Sequence, residues 1–145
     1  MVKRFFNDSK NVAIQLLNLE SKYNCLEYSL KSGKLTWKQR VRPSKLSRTY
    51  DIIVQYDGRI PRIYLYNQGI MKSENEYIPH CYERNYKSKT NEYVMICLYY
   101  PKYNEWSGNM LLSDTIIPWA IDWLYFYELW RITGRWLGGG IECSV

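Results

Sequence analysis

At 145 residues and a net charge of +6, the chain is long enough to bury one core without metal or disulfide support, and 46% hydrophobic residues argue against disorder. No apolar run is long and charge-free enough to cross a bilayer, and MVKRFFNDSK lacks an apolar stretch ending in a small-residue cleavage site. The expectation is therefore one soluble, cytoplasmic domain over residues 1–145.

Residues 8–23 read as an amphipathic helix. Val12, Leu16, Leu19 and Tyr23 share one face, Ala13 and Leu17 widen it, Asp8 or Ser9 can cap the start, and Asn24 suits the end. A period-two pattern follows in Leu26, Tyr28, Leu30 and then Leu35, Trp37, Gln39, Val41, with Ser32-Gly33 between them as a hairpin turn. The pattern recurs in Ile52, Val54, Tyr56 and Ile63, Leu65 around Asp57-Gly58, with Pro61 at a strand start, where a missing donor is tolerated. This is an antiparallel meander of four strands. Lys31, Lys34, Lys38, Arg40, Arg42, Lys45 and Arg48 gather along it and read as a solvated sheet face.

From Gln68 to Thr90 the chain is polar and irregular, and YVMICL then forms a short extended crossover carrying Cys97. A second helix is expected over residues 115–133, with Trp119, Trp123, Phe126 and Trp130 on one face as core. Pro118 is tolerated in its first turn and Gly134 ends it. The fold class is α+β: N-terminal helix, four-strand meander, cysteine-bearing crossover, C-terminal helix. Gly138-Gly139-Gly140 reads as a flexible exit from the last helical region.

Four cysteines (Cys25, Cys81, Cys97, Cys143) at wide, unequal spacings without C-x-x-C fit neither a zinc site nor a disulfide framework, so reduced thiols are expected. No cofactor or metal is expected either, since G-x-S-x-G, the phosphate-loop motif, H-E-x-x-H and G-x-G-x-x-G are all missing from the sequence. Cys97 reads either as a buried strand residue or as a nucleophile held at the sheet's edge, since Leu98, Tyr99, Tyr100 and Pro101 break its strand at once and would leave the thiol at the strand's mouth. Cys25 reads as core, Cys81 as partly exposed beside His80, and Cys143 as part of a frayed tail. His80, the single histidine, reads either as a hydrogen-bonding turn residue or as a base, and Trp106 either caps the core or packs near the thiol.

Helix, meander, a Pro-His element, ICL centred on Cys97, the downstream Trp106, then helix: this order resembles the ubiquitin-conjugating enzyme fold. More of the chain, in LTWKQRVRPSKLSRTYDIIVQY, PHCYE, ICLYYPKYNEW and LLSDTIIPWAIDWLYFYELWRITGRWLGGG, resembles the small bacterial conjugating-enzyme homologues of cyclic-oligonucleotide anti-phage (CBASS) operons, of the short type without a fused activating enzyme. The resemblance implies that Cys97 takes the C-terminal carboxylate of a cGAS/DncV-like nucleotidyltransferase as a thioester and passes it to a lysine on a protein, priming nucleotide synthesis. Where the family has His-Pro-Asn, whose asparagine stabilises the oxyanion, this chain has His80-Cys81-Tyr82. That role is left to His80, Tyr82 or a backbone N–H near Cys97.

Two further readings belong to other classes. A non-catalytic adaptor of the same fold would bind the nucleotidyltransferase and tolerate loss of Cys97. Single-stranded nucleic-acid binding rests on charge and aromatics alone and ranks last.

Overall fold

The computed structural model describes residues 11–70, 76–82 and 92–140. Helix α1 spans Val12–Lys22. Its cap is Asn11, whose side chain accepts the Ile14 N–H at 2.8 Å, while Asp8 and Ser9 lie outside the described residues. Leu19 is buried and Val12, Leu16 and Tyr23 pack against the core, but Leu17 is 65% exposed and Ala13 is exposed as well, so the apolar stripe is narrower than expected. Gln15 takes the vacated position and is fully buried.

The sheet has five strands in sequence order, all antiparallel: β1 Glu27–Lys31, β2 Lys34–Val41, β3 Tyr50–Tyr56, β4 Arg62–Tyr66 and β5 Tyr93–Ile96. The four-strand meander is thus corrected by one. The segment expected as a crossover pairs with β4, Ile63 opposite Ile96 and Tyr66 opposite Tyr93, because the β4 edge would otherwise carry unmatched N–H and C=O groups.

Ser32 and Gly33 form the first turn, both with positive φ (52° and 73°), as a two-residue hairpin requires. At the second turn Asp57 Oδ1 accepts the N–H groups of Arg59 and Ile60, and these bonds hold its carboxyl below the usual carboxylate range.

The alternation decides which face is inside. Leu35, Trp37, Gln39 and Val41 of β2, Tyr50, Ile52, Val54 and Tyr56 of β3, and Ile63 and Leu65 of β4 are all buried. Gln39 is tolerated there because its Oε1 accepts the Trp37 indole N–H at 2.9 Å. The opposite face carries Lys38 and Arg40. Lys38 lies over the Tyr66 ring, Arg40 pairs with Asp51 at 2.9 Å, and the other basic residues of this stretch are solvated, as expected, apart from Arg48 against Tyr50.

Helix α2, Ile116–Thr133, covers the inner face with Ile116, Ile117, Ala120, Trp123, Leu124 and Tyr127. Gly134 closes it in the left-handed conformation at φ 74°. Of the four aromatics expected as core, only Trp123 is buried; Trp119, Phe126 and Trp130 are half-buried at the edge of the helix footprint. Arg131 pairs with Glu76 and donates to the Tyr127 hydroxyl and the Ile70 carbonyl, fixing the segment before His80 to the last turns of α2.

Candidate active site around Cys97

Cys97 immediately follows β5, and the backbone there is fixed by pairing with a second segment. Cys81 forms an isolated bridge with Ile96, the Tyr82 N–H donates to the Met95 carbonyl at 3.0 Å, and the Cys97 N–H donates to the His80 carbonyl at 2.8 Å. Antiparallel geometry therefore sets His80 directly across from Cys97. His80 adopts φ 55°, sparsely populated for a residue with a side chain, and the Trp123 indole N–H donates to its carbonyl at 3.0 Å.

A groove of about 380 Å³ opens at this point and is lined by both His80 and Cys97. Trp119, Trp123 and Phe126 form its α2 wall, the Tyr99–Tyr100 segment another, and Trp136 with Gly138, Gly139 and Gly140 the third. Trp136 packs on the His80 ring at a centroid distance of 4.8 Å and on Trp123 at 5.5 Å. Two carboxylates, Glu105 and Asp122, stand on the groove's lining and are exposed. Neither was legible as a site residue in the sequence, since acidic residues in a loop and on a helix face carry no spacing signal of their own.

Cys97 is 5% exposed, less than its expected place at a strand mouth, and its Sγ lies 3.4 Å from the Tyr99 carbonyl oxygen. It is held in a disulfide. The expectation of reduced thiols is corrected for this residue alone among those described, because Cys25 and Cys81 are thiols. Cys25 packs against the core, where burial raises its pKa, and Cys81 is buried rather than partly exposed because its bridge with Ile96 turns it into the core. Cys143 lies outside the described residues.

The other two site candidates fall elsewhere. Tyr82 lines a separate, smaller hollow beside Pro61 and Arg62. Trp106 is buried in the core, edge-on to Tyr56 at 5.5 Å, with its indole N–H donated to Thr115 Oγ1 at 3.0 Å. Of the donors considered for an oxyanion, the Cys97 N–H is taken by the His80 carbonyl. Burial raises the pKa of Tyr99 strongly, and its hydroxyl donates to the Pro61 carbonyl at 3.3 Å, so it stands as a neutral phenol.

An α+β sheet with flanking helices and a cysteine just past its last strand is consistent with the conjugating-enzyme class. A family model described as type II CBASS E2 protein matches residues 15–143, and the chain belongs to that family. Comparison with curated proteins finds no match. Among the described residues no helix is long and apolar enough to cross a membrane.

Proposed function

We propose that the chain is a thioester-forming transferase whose nucleophile is Cys97. The observation that carries this reading is the groove itself, which brings Cys97 and His80 together between an aromatic wall and two carboxylates. In its reduced form the Cys97 thiolate attacks an activated carboxyl group, the activating group departs, and a thioester forms. An amine then attacks the thioester carbon, Cys97 leaves as thiolate, and an amide results. Asp122 and Glu105 can draw in a lysine ammonium and take up the proton it loses. The aromatic wall excludes water, which competes with the amine for the thioester.

The donor in this reading is the C-terminal tail of a cGAS/DncV-like nucleotidyltransferase, and the acceptor is a lysine on a protein. Family membership supports a role in CBASS; the donor and acceptor are the finer part of the proposal. The adaptor alternative is favoured by one observation, the disulfide that occupies the Cys97 sulfur.

Co-expression with the neighbouring nucleotidyltransferase separates the two. Wild type, Cys97→Ala and Cys97→Ser are compared on reducing and non-reducing gels. The transferase reading expects a thiol-labile adduct in wild type, none in Cys97→Ala, and a thiol-resistant ester in Cys97→Ser. Equal complex formation in all three, without adduct and with unchanged nucleotide synthesis, makes the chain an adaptor.

A further inference from the structure

Strand β1 ends one side of the sheet, and among the described residues no strand pairs with its outer edge. The hairpin turn fixes which of its backbone groups face outward. Ser32 and Gly33, both at positive φ, form a two-residue loop, so Lys31 and Lys34 are the hydrogen-bonded pair that closes it. Bonded and non-bonded pairs alternate along an antiparallel ladder. Ser29 and Glu27 therefore bond to β2, while the N–H and C=O groups of Tyr28 and Leu30 point away from the sheet.

The side chains along this edge lack cover as well. Tyr28 and Leu30 stand opposite Trp37 and Leu35 on the inner face, yet they are 50% and 44% exposed where those two are fully buried. Helix α1 runs beside them, its Glu20 charge raising the pKa of the Tyr28 hydroxyl. Leu17 and Ala13 lie one and two turns before Glu20 on the same side of that helix, and both are exposed. The apolar stripe that α1 leaves bare thus continues the bare edge of β1.

We propose that β1 is a self-docking edge, along which two copies of the chain join antiparallel, centred on Ser29, into one continuous ten-stranded sheet. The inference is independent of any chemistry at Cys97. What selects a second copy as the occupant is the self-complementarity of EYSLK, residues Glu27 to Lys31. Centred on Ser29, the pairing sets Glu27 against Lys31 of the second copy and Lys31 against its Glu27, so unlike charges meet at both ends. Tyr28 meets Leu30 of the second copy twice, and these pairs exchange four N–H to O=C bonds across the joint. Glu27 already lies 3.8 Å from Lys38 on β2, so its carboxylate would stand between two lysines.

Outward-facing residues must meet outward-facing residues, so the neighbouring registers are centred on Tyr28 or on Leu30. Neither sets Glu27 against Lys31, and each forfeits both ion pairs. Charges on an edge strand ordinarily discourage pairing; here they admit one partner in one register. A two-fold axis across the sheet keeps both inner faces on one side, so both α1 helices border the joint with Ala13 and Leu17. The Cys97 groove follows β5 at the far edge, four strand spacings or roughly 20 Å from β1, and stays open in both copies.

The test is sedimentation velocity of the full chain in reducing, low-salt buffer, with wild type, Glu27→Lys, Lys31→Glu and an equimolar mixture of the two variants. Both positions are exposed, so each variant keeps its fold, as far-UV circular dichroism will register. Wild type should sediment at twice the mass of one chain. Each variant alone sets like charges together at both ends of the joint, and its dissociation constant should rise on the order of tenfold to a hundredfold. The mixture should recover the wild-type affinity, because unlike charges meet again when one chain of each kind pairs. A wild type that stays monomeric, a dimer that neither variant weakens, or a loss that mixing does not restore overturns the proposal. A monomeric wild type that binds the neighbouring nucleotidyltransferase through the same two charges gives the edge to that protein and overturns self-docking too. Alkylation of reduced Cys97 should proceed at one rate in all four samples, and a rate that follows dimer formation would overturn the placement of the grooves away from the joint.

Discussion

The Cys97 N–H and the His80 carbonyl oxygen are joined by a 2.8 Å hydrogen bond, and the Trp123 indole N–H meets the same oxygen at 3.0 Å. Both lone pairs of one carbonyl are thereby used to hold the candidate nucleophile against α2. Trp123→Phe keeps an aromatic ring and removes the donor. The expected loss is about 1 kcal/mol in urea unfolding, with faster iodoacetamide alkylation of Cys97 in the reduced protein as His80 loosens. An unchanged alkylation rate would mean that the indole bond is structural only.

Gln15 ties α1 to the loop before α2. Its Nε2 donates to the Met110 carbonyl at 2.8 Å, and its Oε1 accepts the Leu112 N–H at 2.8 Å. Gln15→Leu leaves both backbone groups without these partners, a cost of roughly 2–4 kcal/mol. The urea midpoint should fall while the slope of the transition is unchanged.

Tyr56 points the other way. Its buried hydroxyl has no hydrogen-bond partner among the described residues, and its ring meets Trp106 edge-on. Tyr56→Phe removes an unsatisfied polar atom and keeps the ring, so stability should hold or rise by up to about 1 kcal/mol. A clear loss in thermal unfolding would reveal that the hydroxyl does have a partner in solution.

Alkaline pH should unfold the protein through its phenols. Tyr50 donates to Glu128 Oε2 at 2.9 Å, and burial is the main cause that pushes its pKa up to about 12. Burial also raises Tyr99 and Tyr127. Since the folded pKa lies above the unfolded one, the stabilisation is complete below about pH 10 and is lost as pH rises toward the folded value. Denaturant midpoints measured across this window should decline in wild type and decline less steeply in Tyr50→Phe.

Gly138 offers a direct handle on the groove. In Gly138→Ala the new methyl would meet the Phe126 ring at 2.7 Å, so the segment after α2 or the ring must shift. Alkylation of Cys97 in the reduced variant should be several-fold faster than in wild type, with a small fall in unfolding midpoint if Trp136 loosens from His80 and Trp123. Equal rates would mean that Phe126 alone yields.

The layers of this protein follow from local alternation and turn chemistry. Alternation at Leu35, Trp37, Gln39 and Val41 and at Ile52, Val54 and Tyr56 decides which sheet face is buried, because a one-residue slip would turn every one of them to solvent. Ser32-Gly33 and Gly134 mark their turn and helix end because positive φ narrows the choice of residue.

Other features depended on contacts between distant segments. Tyr93–Ile96 is a short apolar run whose period cannot say whether it pairs, and the unfilled edge of β4 makes it a strand. Gln15 is a polar residue on a helix until Met110 and Leu112, 95 and 97 residues away, give it partners. The same holds for the groove. ICL singled out Cys97, but only the tertiary structure sets His80 across from it, turns Trp106 and Cys81 into the core, and brings Asp122, Glu105 and Gly140 to its side. Local periodicity records which face a residue prefers, while a site is built from residues that have no local reason to be near one another.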